Sequence, residues 1–380
     1  MRITRLGADN LRAIGKVDLP LQPLTVIVGP NGVGKSTLLE LARVFSGLEN
    51  QNRFVECFAR WGGFTASVRA NAPDRRRISV GFELSDGNQA HQYLVAFMSA
   101  VPGFFVETER LRSRFSTQEG FKELFTRTDS GVVLTTNQGS NLYNTPHGPA
   151  SLLPQFRQEL LQAALLLEAA KRTSLWQVHR FQPADRVGLP QQLQQTDVPM
   201  PDGSNLFSAL YSLKTERRER YRALLESLRA AVPELEEIDF PLAGAGHVSL
   251  AWSQSNFPLP FYSNQLSDGI LRFLFLVTIL HTAPDDGLIM LDEPELSLHP
   301  QWLMLLVSLL RKTSARTNIL VATQSAELLR WLKPEELVIA DSTENGTVFT
   351  PATNKADLSK WLEDFTLSDL WTMGELGGRR

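Results

Sequence analysis

The stretch "PLTVIVGPNGVGKSTLLELARVF" (23–45) limits what this chain can fold into more than any other. Its first part is a continuous β-branched run, the pattern of a strand buried on both faces. Its last part spaces Leu38, Leu39, Leu41 and Val44 as a helix would, with Gly47 as the expected stop. Between them lies "GPNGVGKST": Gly29, Pro30, Asn31, Gly32, Val33, Gly34, Lys35, Ser36 and Thr37. This fits G-x-x-x-x-G-K-[ST] in the strand–loop–helix context the motif requires. The glycines let the backbone curl so that its N–H groups face phosphate oxygens. The helix N-terminus adds partial positive charge. Lys35 is expected to reach the β/γ-phosphates of ATP and the Ser36 hydroxyl to bind Mg²⁺. An ordinary glycine-rich turn is the bland alternative, and pattern plus context outweigh it.

A phosphate loop needs a distant acid for the metal. "LIMLDEPE" (288–295) supplies four apolar strand residues ending in Asp292. Asp292 is expected to hold Mg²⁺ through water. Glu293, at the strand tip, is the candidate general base for an attacking water. Two exposed acids at a turn before Pro294 would be the simpler account, and the phosphate loop on the same chain argues against it. Arg12 in "NLRAIG" is a further candidate for contact with the nucleotide.

The rest of the chain fits an α/β protein with a sizeable core, since 43% of its residues are hydrophobic and 21% charged. Residues 78–135 hold short strand patterns, "ISVGFEL", "QYLVAF", "GFFVE" and "GVVLTT", beside turn-rich pieces, which suggests an antiparallel patch. Residues 151–173 read as helical, 182–204 as a loop and 205–231 as a polar helix. After Leu266 helix and strand alternate, which implies parallel pairing. We therefore expect one domain made from 1–135 and 248–380, with 136–247 as a helical and loop insertion.

A net charge of −3 offers no bulk steering towards nucleic acid. The basic groups "PDRRR" (73–77) and "KTERRERYR" (214–222) read first as solvated faces and second as contacts to a DNA backbone. The single cysteine, Cys57, rules out an internal disulfide framework. The N-terminal stretch has no apolar run of signal-peptide length, and the longest such run, Phe273 to Leu280, is about half a membrane span. The expectation is a cytoplasmic protein without a membrane partner.

The order GPNGVGKST, LSDG, LIMLDEPE with SLHP resembles the ABC-type ATPase heads of the SMC, RecF and overcoming-lysogenization-defect (OLD) group. Compact bacterial ATPases of the AAA family are similar in size and layout. The resemblance is strong over about 1–50 and 262–342 and weaker over 78–135. The ending "EDFTLSDLWTMGELGG" shares it. It implies a P-loop NTPase fold of ABC-type head, with a mixed, largely parallel core sheet, an antiparallel β subdomain and a helical insertion. It also gives LSDG a role. Ser267, Asp268, Gly269 and the helix they open would face ATP held by a second subunit, so two heads would sandwich two ATPs. Ser267 as a plain helix cap is compatible with that role.

The chain departs from this pattern in three respects. ABC-type heads usually carry a histidine after the next strand, and "NILVATQSAELL" has Gln324 there. Gln324 donates a hydrogen bond but carries no charge, so ATP binding is expected to survive and the rate of hydrolysis is left open, with slower turnover as one outcome. Sustained heptads are absent, which disfavours long coiled-coil arms. The stretch after "ELVIAD" is too short for the nuclease domain OLD-type proteins carry there, so nuclease action would need a separate partner. His299 in "SLHP" is expected to orient neighbours or face the subunit interface rather than bind metal. The leading expectation is an ATP-driven dimeric ATPase that gates a partner or handles DNA, in DNA repair or anti-phage defence. A slow, ATP-sensing assembly module is the alternative, and a transporter subunit is third.

Overall fold

The computed structural model describes residues 1–45, 50, 52–72, 74–128, 130–136, 139–145, 148–156, 176–179, 187–196 and 198–377. Strands β1 (Arg2–Leu11) and β2 (Ile14–Pro20) form a hairpin, and β3 (Leu24–Val28) runs into the phosphate loop and helix α1 (Lys35–Phe45). Helix α2 (Arg53–Arg60) follows. Six strands come next: β4 (Arg77–Ser85), β5 (Ala90–Ala100), β6 (Gly103–Arg114), β7 (Lys122–Thr128), β8 (Gly131–Thr136) and β9 (Gly139–Tyr143). β10 (Gln177–His179) and the short β11 (Gln191–Gln192) precede helices α3 (Leu206–Glu216) and α4 (Arg218–Ala231). Four small strands lead to the last third: β12 (Leu235–Asp239), β13 (His247–Val248), β14 (Ala251–Gln254) and β15 (Phe261–Tyr262). There α5 (Asp268–Thr282), β16 (Leu288–Asp292), α6 (Pro300–Ser314), β17 (Asn318–Thr323), β18 (Leu337–Thr343) and β19 (Gly346–Pro351) alternate as expected.

Among the described residues one fourteen-stranded sheet runs β10-β16-β17-β3-β18-β19-β2-β1-β4-β5-β6-β7-β8-β9. Its first five strands are parallel. β19 turns back on β18, and the sheet from β2 to β9 is antiparallel. The two halves join where Thr347 of β19 meets Ile14 of β2. All five residues of β3 are buried because both faces of the parallel half are covered. Ile27, Leu288, Met290, Leu320 and Ala322 face α1 and the antiparallel half. Val26, Val28, Ile289, Leu291, Ile319 and Val321 face α3–α6 and the C-terminal segment. α5 is apolar on nearly all sides, as a helix sandwiched in a core must be. Phe54, Phe58 and Phe97 meet edge-to-face at about 5 Å between α2 and β5.

The structure differs from the sequence reading in several places. β7, β9 and β19 were not expected. Residues 205–231 form two helices that break at Arg217, and the first is far from polar: Leu206, Phe207, Ala209, Leu210 and Leu213 are all buried. Counting charges missed this because they cluster after Lys214. The loop expected over 182–204 contains β11, which pairs with β13. The sheet continues past residue 135 through β9, and β12 pairs with β14 across residue 247. Most of the helix expected over 151–173, the start of the 182–204 loop, the stop at Gly47 and Pro73 lie outside the described residues. The C-terminal ending gains a physical account. Thr366 and Asp369 cap a helix at Leu367–Met373 that packs on the short helix Ala326–Leu329, and Leu367, Leu370 and Leu376 are buried in the same core as Leu328 and Leu329. Among the described residues no helix is long and apolar enough to cross a membrane.

Candidate functional site

The C-terminal ends of parallel strands are where an open α/β sheet places its ligands. Here β3 ends in the phosphate loop, its neighbour β17 ends at Thr323 and Gln324, and β16 ends in Asp292 and Glu293. The side chains follow from this register. Asp292 of β16 sits opposite Ala322 of β17, and Thr323 opposite Val28.

The Ser36 hydroxyl donates to both Asp292 carboxylate oxygens, at 3.2 and 3.1 Å, although 256 positions separate the two residues. A hydroxyl and a carboxylate brought together offer the hard oxygen donors that Mg²⁺ takes alongside nucleotide phosphates. Lys35 is only 5% exposed. Its ammonium donates to the carbonyls of Gly29 at 2.8 Å and Pro30 at 3.0 Å. Burial lowers its pKa, and the charges of Glu293, Asp292 and Glu295 oppose that shift. The ammonium thus rests against its own loop.

Gly34 shows why the loop needs its glycines. Its φ is +105°, and a Cβ there would come within 2.9 Å of Thr347 Oγ1. Thr347, which sequence reasoning missed, pins the loop from β19 by donating to the Val33 carbonyl. Arg12, Asn31, Gly32, Gly34, Lys35, Ser36, Thr37 and Glu293 line one cavity of about 330 Å³. That is the lower end of the range for small-molecule sites. A larger groove of about 640 Å³ lies on the antiparallel half, between Lys16, Gly81 and Arg114. It has no phosphate loop, so the smaller cavity is the one with chemistry.

Glu293 occupies an unusual backbone position, with φ +48°. A non-glycine residue there costs about 1–3 kcal/mol unless its surroundings enforce it. They do: its N–H donates to the Ala322 carbonyl at 2.8 Å, and Arg272 of α5 donates to its carbonyl at 3.2 Å. Glu295, two residues on, is 8% exposed and accepts from the Thr323 hydroxyl. Burial pushes its carboxyl up to about 6, against the effect of the Thr323 bond. Sequence reasoning had no signal for Glu295 or Arg272, since one reads as a turn acid and the other as a helix-face cation.

The signature segment is built differently. Ser267 caps α5, its hydroxyl accepting from Ile270 N–H at 3.3 Å. Ser267 and Asp268 are exposed, whereas Gly269 is buried. A Cβ on Gly269 would lie 2.5 Å from the Ser297 carbonyl, so the glycine lets α5 pack against the "SLHP" turn. Ser267, Asp268 and Gly269 do not line the cavity of the phosphate loop. Gln324 is half-buried at the end of β17 and does not line that cavity either. His299 caps α6, accepting from Gln301 N–H at 3.3 Å. Of the basic groups, Arg77 pairs with Glu107 at 2.7 Å, and Lys214 with Glu237 and Asp239 at 2.9 and 2.6 Å.

Comparison with known proteins agrees with this architecture. The family model described as "AAA domain" matches residues 5–238, more than half of the chain. A second, described as "AAA domain, putative AbiEii toxin, Type IV TA system", matches residues 154–330. Over 37 residues, 10% of the chain, there is 57% identity to the OLD nuclease of Thermus scotoductus, and that stretch spans 7% of the relative's length. Among solved structures, an SMC head bound to the C-winged helix domain of ScpA has a TM-score of 0.55 at 12% identity, covering 92% of this chain and 97% of that one. An SMC head with an extended coiled coil, bound to the C-terminal domain of ScpA derived from Pyrococcus furiosus, has a TM-score of 0.51 at 10% identity, covering 96% and 100%. Identities this low speak to fold alone. The chain belongs to the AAA-domain family and has the fold of an SMC head.

Proposed function

We propose that this chain binds Mg²⁺-ATP at the phosphate loop, pairs with a second copy across the nucleotide and hydrolyses it. The observation that carries this reading is the meeting of Ser36 and Asp292 beside the cavity that Lys35 and Glu293 line. Lys35 would leave its loop carbonyls for the β/γ-phosphates. Ser36 and Asp292 would hold Mg²⁺, which neutralises developing charge on the transferred phosphoryl group. Glu293 would orient and deprotonate the attacking water. Ser267, Asp268 and Gly269 would serve the ATP of the partner copy with the N-terminus of α5. Arg12, which lines the same cavity, would contact the nucleotide. The output would be mechanical or regulatory: gating a separate effector or nuclease, or handling DNA, in repair or anti-phage defence.

A second reading has one observation in its favour. Gln324 offers no positive charge towards a γ-phosphate, which supports a sensor that assembles on ATP and turns it over slowly. Steady-state ATP turnover of the purified chain and of Glu293→Gln separates the two. Turnover lost in Glu293→Gln supports the enzyme. Pairing on ATP without turnover supports the sensor.

A further inference from the structure

The segment after Asp292 and the segment after β17 are tied together by more than sheet pairing. Glu293 N–H donates to the Ala322 carbonyl at 2.8 Å. The Thr323 hydroxyl donates to Glu295 Oε1 and accepts from Ser325 N–H at 2.9 Å. Thr323 is fully buried, and Glu295 nearly so. These bonds flank Glu293 on one segment and Gln324 on the other, the two residues that the ATPase reading would bring to the attack step. A plain scaffold does not explain the choice of residue. Glu295 Oε2 is buried without a hydrogen-bond partner. A buried carboxylate with a spare oxygen is a costly way to hold two loops that apolar packing could hold.

We propose that Glu295 is a positioning residue for the attack of water on ATP, acting through the Thr323 hydroxyl to fix Glu293 relative to Gln324. This rests on the ATPase reading above. The clasp sets where the Glu293 carboxylate stands with respect to a bound γ-phosphate. The clasp makes no hydrogen bond to the phosphate loop, and only the charge of Glu295 reaches Lys35, so nucleotide affinity does not depend on the Thr323 hydroxyl. A misplacement of about 1 Å at such a position costs up to roughly 100-fold in rate.

The test uses the full chain with saturating Mg²⁺-ATP, and compares Thr323→Val with Thr323→Ser and Glu295→Ala with Glu295→Gln. Expected are a kcat loss of roughly 10- to 100-fold in Thr323→Val and Glu295→Ala, with KM and affinity for a fluorescent ATP analogue unchanged in Thr323→Val, which keeps the Glu295 charge near Lys35. Thr323→Ser keeps the hydroxyl and Glu295→Gln keeps an acceptor oxygen, so both should retain near-normal kcat. The double variant Thr323→Val/Glu295→Ala should be no slower than the worse single one. Should Glu295→Ala fail to fold, the Val–Ser pair at 323 carries the test, because valine suits a buried strand end. Unchanged kcat in Thr323→Val, additive losses, or losses that the conservative variants share would overturn the assignment while leaving the ATPase reading intact. An unmodified chain without turnover would overturn both, and a loss of analogue binding in Lys35→Ala would then show that the nucleotide site itself is sound.

Discussion

The phosphate-loop half of the candidate site and the signature half are built on opposite principles. In the first, residues far apart in sequence converge: Ser36 on Asp292, Thr347 on Val33, and Lys35 buried among carboxylates. In the second, Ser267 and Asp268 are exposed at the start of α5, outside the phosphate-loop cavity of their own chain. One half is complete within a single chain. The other turns Ser267 and Asp268 outward, with Ser267 capping α5 and Gly269 packed against Ser297. The contrast teaches that single-chain geometry reports on nucleotide binding, and that the signature must be judged by association.

The comparison breaks most sharply at Lys35. Lys35→Ala should weaken ATP binding roughly 100-fold, since a charge-assisted bond carries about 1.5–3 kcal/mol, and pairing should vanish with it; titration with a fluorescent ATP analogue reads this. Ser267→Arg should leave that affinity within about twofold, since an exposed site away from the cavity adds little, yet abolish ATP-driven pairing by mass measurement. Pairing that survives Ser267→Arg would reduce the segment to a helix cap. Gly269→Ala sharpens the home role of the signature. Overpacking against the Ser297 carbonyl should cost about 1–3 kcal/mol, read as a lower thermal midpoint even without nucleotide.

The smallest effect concerns pH. Burial raises the Glu295 carboxyl from 4.5 to about 6, so the folded state holds this proton more tightly than the unfolded chain does. Its contribution is fully present below about 4.5 and is lost as pH rises through about 6. The loss is on the order of 2 kcal/mol. Glu295→Gln should flatten this slope and raise the thermal midpoint at pH 8 relative to the unmodified chain. An identical slope in both would place the titration elsewhere.

How much of this was legible follows from distance along the chain. "GPNGVGKST" and "LIMLDEPE" declare themselves because strand, loop and ligand are contiguous, and each pattern has one physical use. The alternation after Leu266 was equally plain, since buried strands and helices differ in length. The clasp of Thr323 on Glu295 spans 28 positions and that of Thr347 on Val33 spans 314, and neither threonine carries a local signature. β7 escaped because it mixes charge with a short apolar piece and β9 because it is short and mostly polar, and only pairing with neighbours makes them strands. The buried face of α3 was hidden by the charges of "KTERRER" that follow it. Gly269 was read for its ligand, whereas its immediate neighbour is the Ser297 backbone.

The account turns on the signature serving a second copy. The most direct measurement is the solution mass of Glu293→Gln with saturating Mg²⁺-ATP, with ADP and without nucleotide. Removing the base should trap ATP and hold two chains together, giving twice the monomer mass with ATP alone. A monomer under all three conditions, with ATP bound by titration, would contradict the account.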